Sequence, residues 1–449
     1  MTLLAGVAKI EITPPYGVQL SGYPHVRRLS TGTHDPLMAA ALVLNRDGVI
    51  QVQVALDLLF LDPPTAREIR RRAAAAAGTD EKHVFVGCTH THSGPVTAPI
   101  FGWAGDVAAP APDPAYLELV KDRVVKNVGV AASRQRPAMT AWTTARVSGV
   151  GCNRHSPDGV TDPEAGILAV RDAATGDMIA VVTIYGMHPT VLHEDSTLVS
   201  ADFPFFARCV LRERFGAGMV VLYFNGPCGN QSPRYHVRRQ TFAEAERLGR
   251  HLGLFIADAI AALDEKAFSA DRTLGGILRS FQPVRRALPS LAAAEQTLTD
   301  YRNDYARLQE AGAARAVVRT AECAVFGAEG AVNLARAAAS GAIDRMLADY
   351  APFEVQGLRV GDSCLIGLPG ELFTEYGLEI KKTEPGRVFV VAFANGDLQG
   401  YITTPAAAAA GGYEAAGAVF DCQTGAVMVN AAAAAIRDLG MPSGQESHP

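Results

Sequence analysis

The sequence predicts an α/β fold in which helices flank a large, layered, mixed β-sheet. Short apolar runs alternate with helical stretches along the chain, as in sheets whose strands are joined by helices. Apolar residues make up 48% of the 449 positions and charged residues only 19%, which predicts a large core and excludes a disordered chain. The run at 218–224 is continuously apolar, the pattern of a strand buried on both faces.

The expected elements follow in chain order. Apolar runs predict strands at 7–12, 39–44, 49–56, 83–88, 138–150, 166–185, 218–224, 353–360, 364–368 and 388–393. Amphipathic stretches predict helices at 66–77, 203–215 and 242–263. Residues 291–350 are rich in Ala, Glu and Arg, which favours a helical insertion that is well placed to form a wall of a substrate site. Residues 405–412 (PAAAAAGG) predict the start of a helix, which ends at the glycines.

These elements predict one catalytic domain over residues 1–440, followed by a disordered tail at 441–449. The 41 basic and 46 acidic residues give a net charge of -5, which argues against nucleic acid as a partner. No apolar run is long enough to predict a transmembrane helix, and the first residues do not resemble a signal peptide. The seven cysteines form no CxxC pair, which favours buried thiols in a reducing compartment. We therefore expect a cytoplasmic protein, with its oligomeric state left open.

The most informative motif is THTHSGP at residues 89–95. If this motif continues a strand, His90 and His92 face the same side at the strand's end. Two imidazoles on one face repel each other when both are protonated, and a metal ion removes that conflict. The alternative is a pair of structural histidines that hydrogen-bond a loop, and the motif alone does not separate the two.

Two further side chains could complete a metal site. His188 follows a predicted buried strand, and the carboxyl ends of strands are where α/β sheets gather ligands. Glu371 lies between a predicted strand and a helix, and hydrolytic zinc sites commonly use three protein ligands. The alternatives are a buried core histidine and an acidic residue favoured at a helix N-terminus.

Six motifs in this order resemble the neutral/alkaline non-lysosomal ceramidase family, zinc-dependent enzymes that hydrolyse the amide bond of N-acyl sphingosine. They are THTHSGP at 89–95, CNRHSP at 152–157, GMHPTVLHEDSTLVSADF at 186–203, NGPCGNQSP at 225–233, LPGELF at 368–373, and GYITT at 400–404 with YEAA at 413–416. Each motif is short, but their common order over most of the chain is specific. The resemblance implies the fold of the family's catalytic domain.

The resemblance also implies site residues. One zinc ion would be bound by His90, His188, Glu371 and Tyr401. The reacting amide would be served by His92, Arg154 and Tyr413. Zinc-activated water would attack the amide carbon, while Arg154 and Tyr413 stabilise the oxyanion and His92 transfers the proton.

The family's serine-bearing turn departs from its pattern here. Ser232 matches, but Asn230 stands where the family has an aspartate, and a neutral amide cannot act as a base. Ser232 is therefore expected to donate a hydrogen bond at least as readily as to act as a nucleophile. Three aspartates, Asp35, Asp57 and Asp202, could orient metal-bound histidines, with turn or helix-cap roles as the alternative.

The expected substrate is a small-molecule amide. Because the sequence shows neither an export signal nor a C-terminal immunoglobulin-like domain, we expect a soluble N-acyl substrate rather than membrane ceramide. The sequence-based hypothesis is a zinc-dependent amidohydrolase that cleaves a linear N-acyl amide. Two alternatives remain, a zinc-dependent esterase or lactonase acting on a small molecule and a catalytically inactive metal-binding homologue.

Overall fold

The computed structural model describes residues 2–441, apart from the side chains of residues 315 and 316. Within this range the strands are β1 (Leu4–Glu11), β2 (Gly32–Thr33), β3 (Met38–Arg46), β4 (Val49–Leu56), β5 (Val84–Cys88), β6 (Arg136–Arg146), β7 (Cys152–Asn153), β8 (Glu164–Asp172), β9 (Met178–Tyr185), β10 (Leu198–Val199), β11 (Val220–Asn225), β12 (Gln231–Ser232), β13 (Leu274–Phe281), β14 (Phe353–Val360), β15 (Ser363–Gly367), β16 (Glu371–Leu372), β17 (Val388–Val391) and β18 (Tyr401–Ile402). The helices are α1 (Pro63–Ala77), α2 (Pro114–Ser133), α3 (Phe203–Phe215), α4 (Phe242–Ala261), α5 (Leu291–Glu310), α6 (Arg315–Ala339), α7 (Ala342–Tyr350), α8 (Thr374–Lys381), α9 (Pro405–Ala410), α10 (Tyr413–Ala416) and α11 (Gln423–Asp438).

The predicted α/β fold class is confirmed. Three helices, α5 to α7, occupy the stretch that was expected to be helical, and α9 ends at Gly411 as expected. The assignment of residues 1–440 to one domain stays a prediction. The predicted tail lies outside the described residues, except for Met441. Among helices of the described part, none is both long and apolar enough to cross a membrane.

Helix α2 was missed by the sequence analysis, although its signals are present. The Asp113 side chain accepts the N–H of Ala115, and Pro114 occupies the first helical turn. Tyr116, Val120 and Val124 repeat every four residues and are buried. A capping aspartate, a proline and this spacing are typical of a helix start and its core-facing side.

Two sheets form the centre of the fold. The larger has eight strands in the order β11-β9-β8-β6-β1-β3-β4-β5, and the smaller has four in the order β13-β14-β15-β17. Most neighbours are antiparallel, but the outermost pairs of the larger sheet, β9/β11 and β4/β5, are parallel, and so is β15/β17. The larger sheet curves so that its edge strands face each other, with the rings of Phe85 on β5 and Phe224 on β11 5.5 Å apart.

The core is layered as helices, sheet, sheet and helices. Phe85 and Leu168 of the larger sheet share one buried cluster with Leu365 and Phe389 of the smaller sheet, so the two sheets pack face to face. Helices α1 and α2 cover one half of the larger sheet's outer face, and α3 and α4 cover the other half. Helices α8 and α11 cover the smaller sheet. Burial on both faces explains why the central strands are so apolar.

A buried ion pair joins α3 to the end of β4. Both guanidinium nitrogens of Arg208 lie 2.9 Å from the carboxylate oxygens of Asp57. Asp57 also accepts the N–H of Met38 at 2.9 Å. The side chains of Arg208 and Asp57 are 8% and 1% exposed, so neither charge has water as an alternative partner.

Replacing Asp57 by Ala is expected to lower the free energy of unfolding by about 3–5 kcal/mol, because Arg208 is left buried without a counter-charge. Urea unfolding followed by circular dichroism measures the change. The exposed pair of Arg250 and Glu213 provides the control, and Arg250→Ala should have a far smaller effect. Adding Arg208→Met should recover part of the loss, and a double variant less stable than Asp57→Ala would contradict this account.

Candidate active site

The site lies where the carboxyl ends of the parallel strands meet. The segment after β17 connects them: Ala392 N–H donates to the carbonyl of Asn225 at the end of β11, at 2.9 Å. Two residues later Ala394 forms an isolated bridge with Gly87 of β5. The loops after β5, β9, β11, β15 and β17 therefore begin at one edge of the fold, the position where ligands bind in α/β sheets.

His90 and His92 do not lie on a strand, so that part of the prediction is wrong. Strand β5 ends at Cys88, and His90 has a φ of 65°, the left-handed conformation. The chain turns here because the N–H of His90 donates to the carbonyl of Leu58 at 2.9 Å. The two rings nevertheless meet, with their Nε2 atoms 3.4 Å apart. The alternation of side chains on a strand does not explain this contact; the turn does.

Each of three imidazoles is fixed by a main-chain carbonyl. The Nδ1 atoms of His90, His92 and His188 contact the carbonyl oxygens of Leu59, Gly22 and Cys228 at 3.0, 3.0 and 2.8 Å, respectively. A carbonyl oxygen only accepts, so each Nδ1 donates and each neutral ring keeps its lone pair on Nε2. Their ligand nitrogens all lie within 4.8 Å of one another, so these three buried histidines could hold a metal ion.

Glu371 faces two of these nitrogens. Its Oε1 lies 2.8 Å from His188 Nε2 and 3.4 Å from His90 Nε2. Burial alone would raise the pKa of Glu371, but the close contacts with His188 and His90 hold this pKa well below its usual range. Burial also lowers the pKa of His188, which disfavours the imidazolium form. Two acceptors at this distance need a shared positive charge, and the donor set of imidazoles and a carboxylate fits a zinc ion.

The pairing of two short strands places Tyr401 beside Glu371. Strands β16 and β18 pair in parallel, and Glu371 lies directly opposite Tyr401 in that pairing. The ring of Tyr401 lies 5.9 Å from the ring of Tyr413. The guanidinium carbon of Arg154 lies 5.1 Å from the centre of the Tyr401 ring. Thirty positions of sequence separate Glu371 from Tyr401, and the short two-stranded pairing brings them together.

Glu414 contacts a predicted site residue, Arg154, and was missed by the sequence analysis. Its Oε1 accepts from Arg154 Nε at 2.9 Å and lies 2.9 Å from His155 Nε2. Burial would raise the pKa of Glu414, but the charge of Arg154 and the contact with His155 lower it to about 2. The signal was its position directly after Tyr413 in the YEAA motif.

The remaining predicted residues are Ser232 and three aspartates. Ser232 belongs to β12, lies opposite Cys152 two residues before Arg154, and its Oγ accepts the N–H of Arg234 at 3.3 Å. The aspartates proposed as partners of the histidines have other roles: Asp57 binds Arg208, Asp35 accepts from Ser200, and Asp202 caps α3. In the described part of the chain, main-chain carbonyls orient the histidines instead. The helix-cap alternative is therefore correct for Asp202.

A pocket that is partly open to solvent lies against the histidines. Its polar wall is formed by His90, His92, Glu371, Asp397, Gln399, Tyr401 and Tyr413. Its apolar wall is formed by Leu59, Phe60, Ile100, Trp103, Phe326 and Val419. Phe326 lies on α6, so the helical stretch 291–350 contributes to the wall.

Comparison with known proteins agrees with the motifs. Residues 3–220 match the family model described as neutral/alkaline non-lysosomal ceramidase, N-terminal. A neutral ceramidase of Pseudomonas aeruginosa is 22% identical over 251 residues, which cover 52% of this chain and 37% of that protein. The aligned region thus spans little more than a third of the relative. The resemblance inferred from the six motifs is confirmed.

Two solved structures share the fold. The crystal structure of neutral ceramidase from Pseudomonas aeruginosa aligns with a TM-score of 0.70 at 18% identity, covering 100% of this chain and 76% of that one. A ceramidase complexed with C2 aligns with a TM-score of 0.72 at 17% identity, covering 100% and 77%. At these identities the likeness establishes the fold.

Glu414 should contribute to stability in a pH-dependent way. Its folded pKa of about 2 lies below the ordinary value of 4.5, so its stabilisation is complete above that value and is lost as the pH falls toward 2. We expect Glu414→Gln to be less stable than the wild type near neutral pH, and the difference to shrink in acid. Urea unfolding at several pH values measures this.

The control for this experiment is Glu246→Gln, on the exposed face of α4. This variant should follow the wild-type pH dependence throughout. A Glu414→Gln variant whose stability stays a constant amount below the wild type at every pH would show that the carboxylate of Glu414 does not contribute through its ionised form.

Proposed function

We propose that this chain, whose residues 3–220 carry the N-terminal domain of the neutral/alkaline non-lysosomal ceramidase family, is a zinc-dependent amidohydrolase. The observation that carries the proposal is the convergence of three imidazole lone pairs and one carboxylate, all on buried side chains. The substrate is a linear N-acyl amide, and we favour a soluble one. The cytoplasmic location stays a prediction.

The proposed zinc ligands are His90, His188, Glu371 and Tyr401. Glu371 Oε1 lies 2.8 Å from His188 Nε2 and 3.4 Å from His90 Nε2, and Tyr401 lies opposite Glu371 in the β16/β18 pair. When bound, zinc would polarise a carbonyl and lower the pKa of water toward about 7. The carbonyls of Leu59 and Cys228 hold the two ligand rings in the orientation that binding requires.

His92 is proposed to move the proton. Its Nδ1 is committed to the carbonyl of Gly22, which leaves Nε2 directed at the site to accept a proton and return it to the leaving amine. Arg28 fixes this arrangement, because its buried guanidinium donates to the carbonyl of His92 at 2.8 Å. The acceptor of the proton is thus held by two main-chain contacts.

Arg154 and Tyr413 are proposed to stabilise the developing oxyanion. Both lie beside Tyr401, and Tyr413 lines the pocket. Glu414 holds the guanidinium of Arg154 through its Nε, so the position of that charge is set before a substrate arrives. Ser232 is proposed to donate a hydrogen bond rather than to act as a nucleophile. Its hydroxyl oxygen accepts the main-chain N–H of Arg234, and its own proton can be donated.

The substrate class follows from the two walls of the pocket. The apolar wall, which includes Trp103 and Phe326, suits an acyl or other apolar arm, and the polar wall suits the amide. We favour short N-acyl amines as substrates, with long-chain lipids as the alternative that the substrate panel separates.

Metal analysis tests the ligand assignment. We expect about one zinc ion per chain in the wild type and a large loss in His188→Ala, because a lone pair that faces Glu371 is removed. His92→Ala should keep its zinc but lose most amide cleavage. Inductively coupled plasma mass spectrometry and product detection give the two readouts.

His251→Ala is the matched control, because His251 is exposed and contacts the carbonyl of Ser148. It should retain both metal and activity. Full activity in metal-free protein would overturn the zinc-hydrolase proposal, and loss of zinc in His92→Ala would make that residue a ligand rather than a proton carrier.

A substrate panel tests the reaction. We expect turnover of N-acyl amines, fastest for short acyl chains and slowest for long-chain ceramide, because the proposed substrate is a soluble N-acyl amine. Each amide is paired with its matched ester, and products are identified by mass spectrometry. Cleavage of the esters or lactones alone would establish the esterase or lactonase alternative, and a zinc-loaded protein without turnover would establish the inactive homologue.

A further inference from the structure

The pocket contains one buried carboxylate that the proposed reaction does not use. Asp397 is 3% exposed and lines the pocket on the loop between β17 and β18. Its Oδ2 accepts the main-chain N–H of Gln399 at 2.7 Å. It lies four positions before Tyr401 and is not one of the residues carried over from the family motifs.

The loop that carries Asp397 is held in place. The side-chain amide of Gln399 donates to the carbonyl of Pro99 at 2.7 Å and to the hydroxyl of Tyr350 at 3.0 Å, while its oxygen accepts the N–H of Phe101 at 3.1 Å. Gly396 has a φ of 131° and packs so closely on Pro63 that a Cβ would lie 2.8 Å from that ring. The loop thus holds Asp397 against the pocket.

Its electrostatic surroundings differ from those of the other buried acids at the site. Glu371 faces two imidazoles, and Glu414 binds Arg154. In the described part of the chain, Asp397 forms no ion pair, and the pocket wall contains neither lysine nor arginine. Burial, partly offset by the N–H of Gln399 and reinforced by the charge of Glu371, raises the pKa of Asp397 to about 7.

A buried carboxylate without a cation is costly unless a ligand supplies its partner. A second metal ion is a poor partner here, because one carboxylate alone cannot provide the several oxygen ligands that hard cations require, and the amide oxygen of Gln399 is already engaged. A hydrogen-bond donor on an organic ligand fits both the position and the charge.

We propose that Asp397 selects substrates whose arm beside it ends in a hydrogen-bond donor, either a hydroxyl or an ammonium group. The inference rests on the proposed function for its choice of N-acyl ligands. It adds a polar requirement to a pocket whose other wall is apolar, so that an arm without a donor would leave the carboxylate buried and unpaired.

Binding tests this without relying on turnover. Matched ligands, in which a methylene ketone replaces the scissile amide, carry a hydroxyl, an ammonium or a methyl group at the end of the acyl arm or of the amine arm. Isothermal titration calorimetry with the zinc-loaded protein should show about 10- to 100-fold tighter binding of one hydroxyl or ammonium member than of its methyl partner. Equal binding of all three members in both arms would overturn the proposal.

Two variants separate the sources of the preference. Asp397→Asn keeps the shape and an acceptor oxygen, so it should lose the ammonium preference and keep a hydroxyl preference. Asp397→Leu should lose both, while the exposed control Asp177→Asn keeps the wild-type pattern. An undiminished preference in Asp397→Leu would overturn the proposal. If the Leu variant does not fold, an undiminished ammonium preference in Asp397→Asn would overturn it instead.

Cleavage of the corresponding amides is measured in parallel. If no amide is cleaved but the binding preference depends on Asp397, the amidohydrolase proposal fails and the assignment of Asp397 stands. If amides are cleaved equally well with and without a donor group by both wild type and Asp397→Asn, the assignment fails and the amidohydrolase proposal stands.

Discussion

The site depends on three hydrogen bonds from imidazole Nδ1 atoms to main-chain carbonyls. These bonds fix the three rings so that their Nε2 lone pairs converge, with that of His90 3.4 Å from that of His92. They also place the lone pair of His188 2.8 Å from a carboxylate oxygen of Glu371. Acceptors held face to face repel one another, so the fold creates a position that only a positive charge relieves. Main-chain acceptors suit this purpose because they cannot rotate away.

Two of these carbonyls, those of Leu59 and Cys228, lie in loops that follow strands of the larger sheet. Leu59 follows β4, the neighbour of the edge strand β5, and Cys228 follows the opposite edge strand β11, in a sheet that curves until its two edges face each other. The segment after β17 joins these edges, and it carries Phe393 in a left-handed conformation with a φ of 52°. The ring of Phe393 stacks on the ring of His90, which is also left-handed, with 3.8 Å between centres. Two non-glycine residues in this rare conformation, packed on each other, show local strain retained at the site.

The sequence could predict the layers but only part of the site. Helix α3 at 203–215 and strand β11 near 218–224 followed from their apolar patterns, because burial of a continuous face leaves a periodic signal. His90 and His92 were identified by assuming a strand, and the structure shows a turn instead. Tyr401 came only from the family resemblance, because its neighbour across β16 and β18, Glu371, is set by tertiary pairing rather than spacing.

Three buried acids near the pocket show why side-chain chemistry alone does not assign a role. Glu371 is surrounded by imidazoles, Glu414 by a guanidinium and an imidazole, and Asp397, among the described residues, by main-chain N–H groups without a cation. The first arrangement suits metal binding, and the second holds the guanidinium of Arg154 in place. In the third, two main-chain N–H groups compensate the burial of the carboxylate only in part. Since folded proteins rarely bury such a group without a partner, the proposed role of Asp397 places the missing partner on the ligand of the pocket.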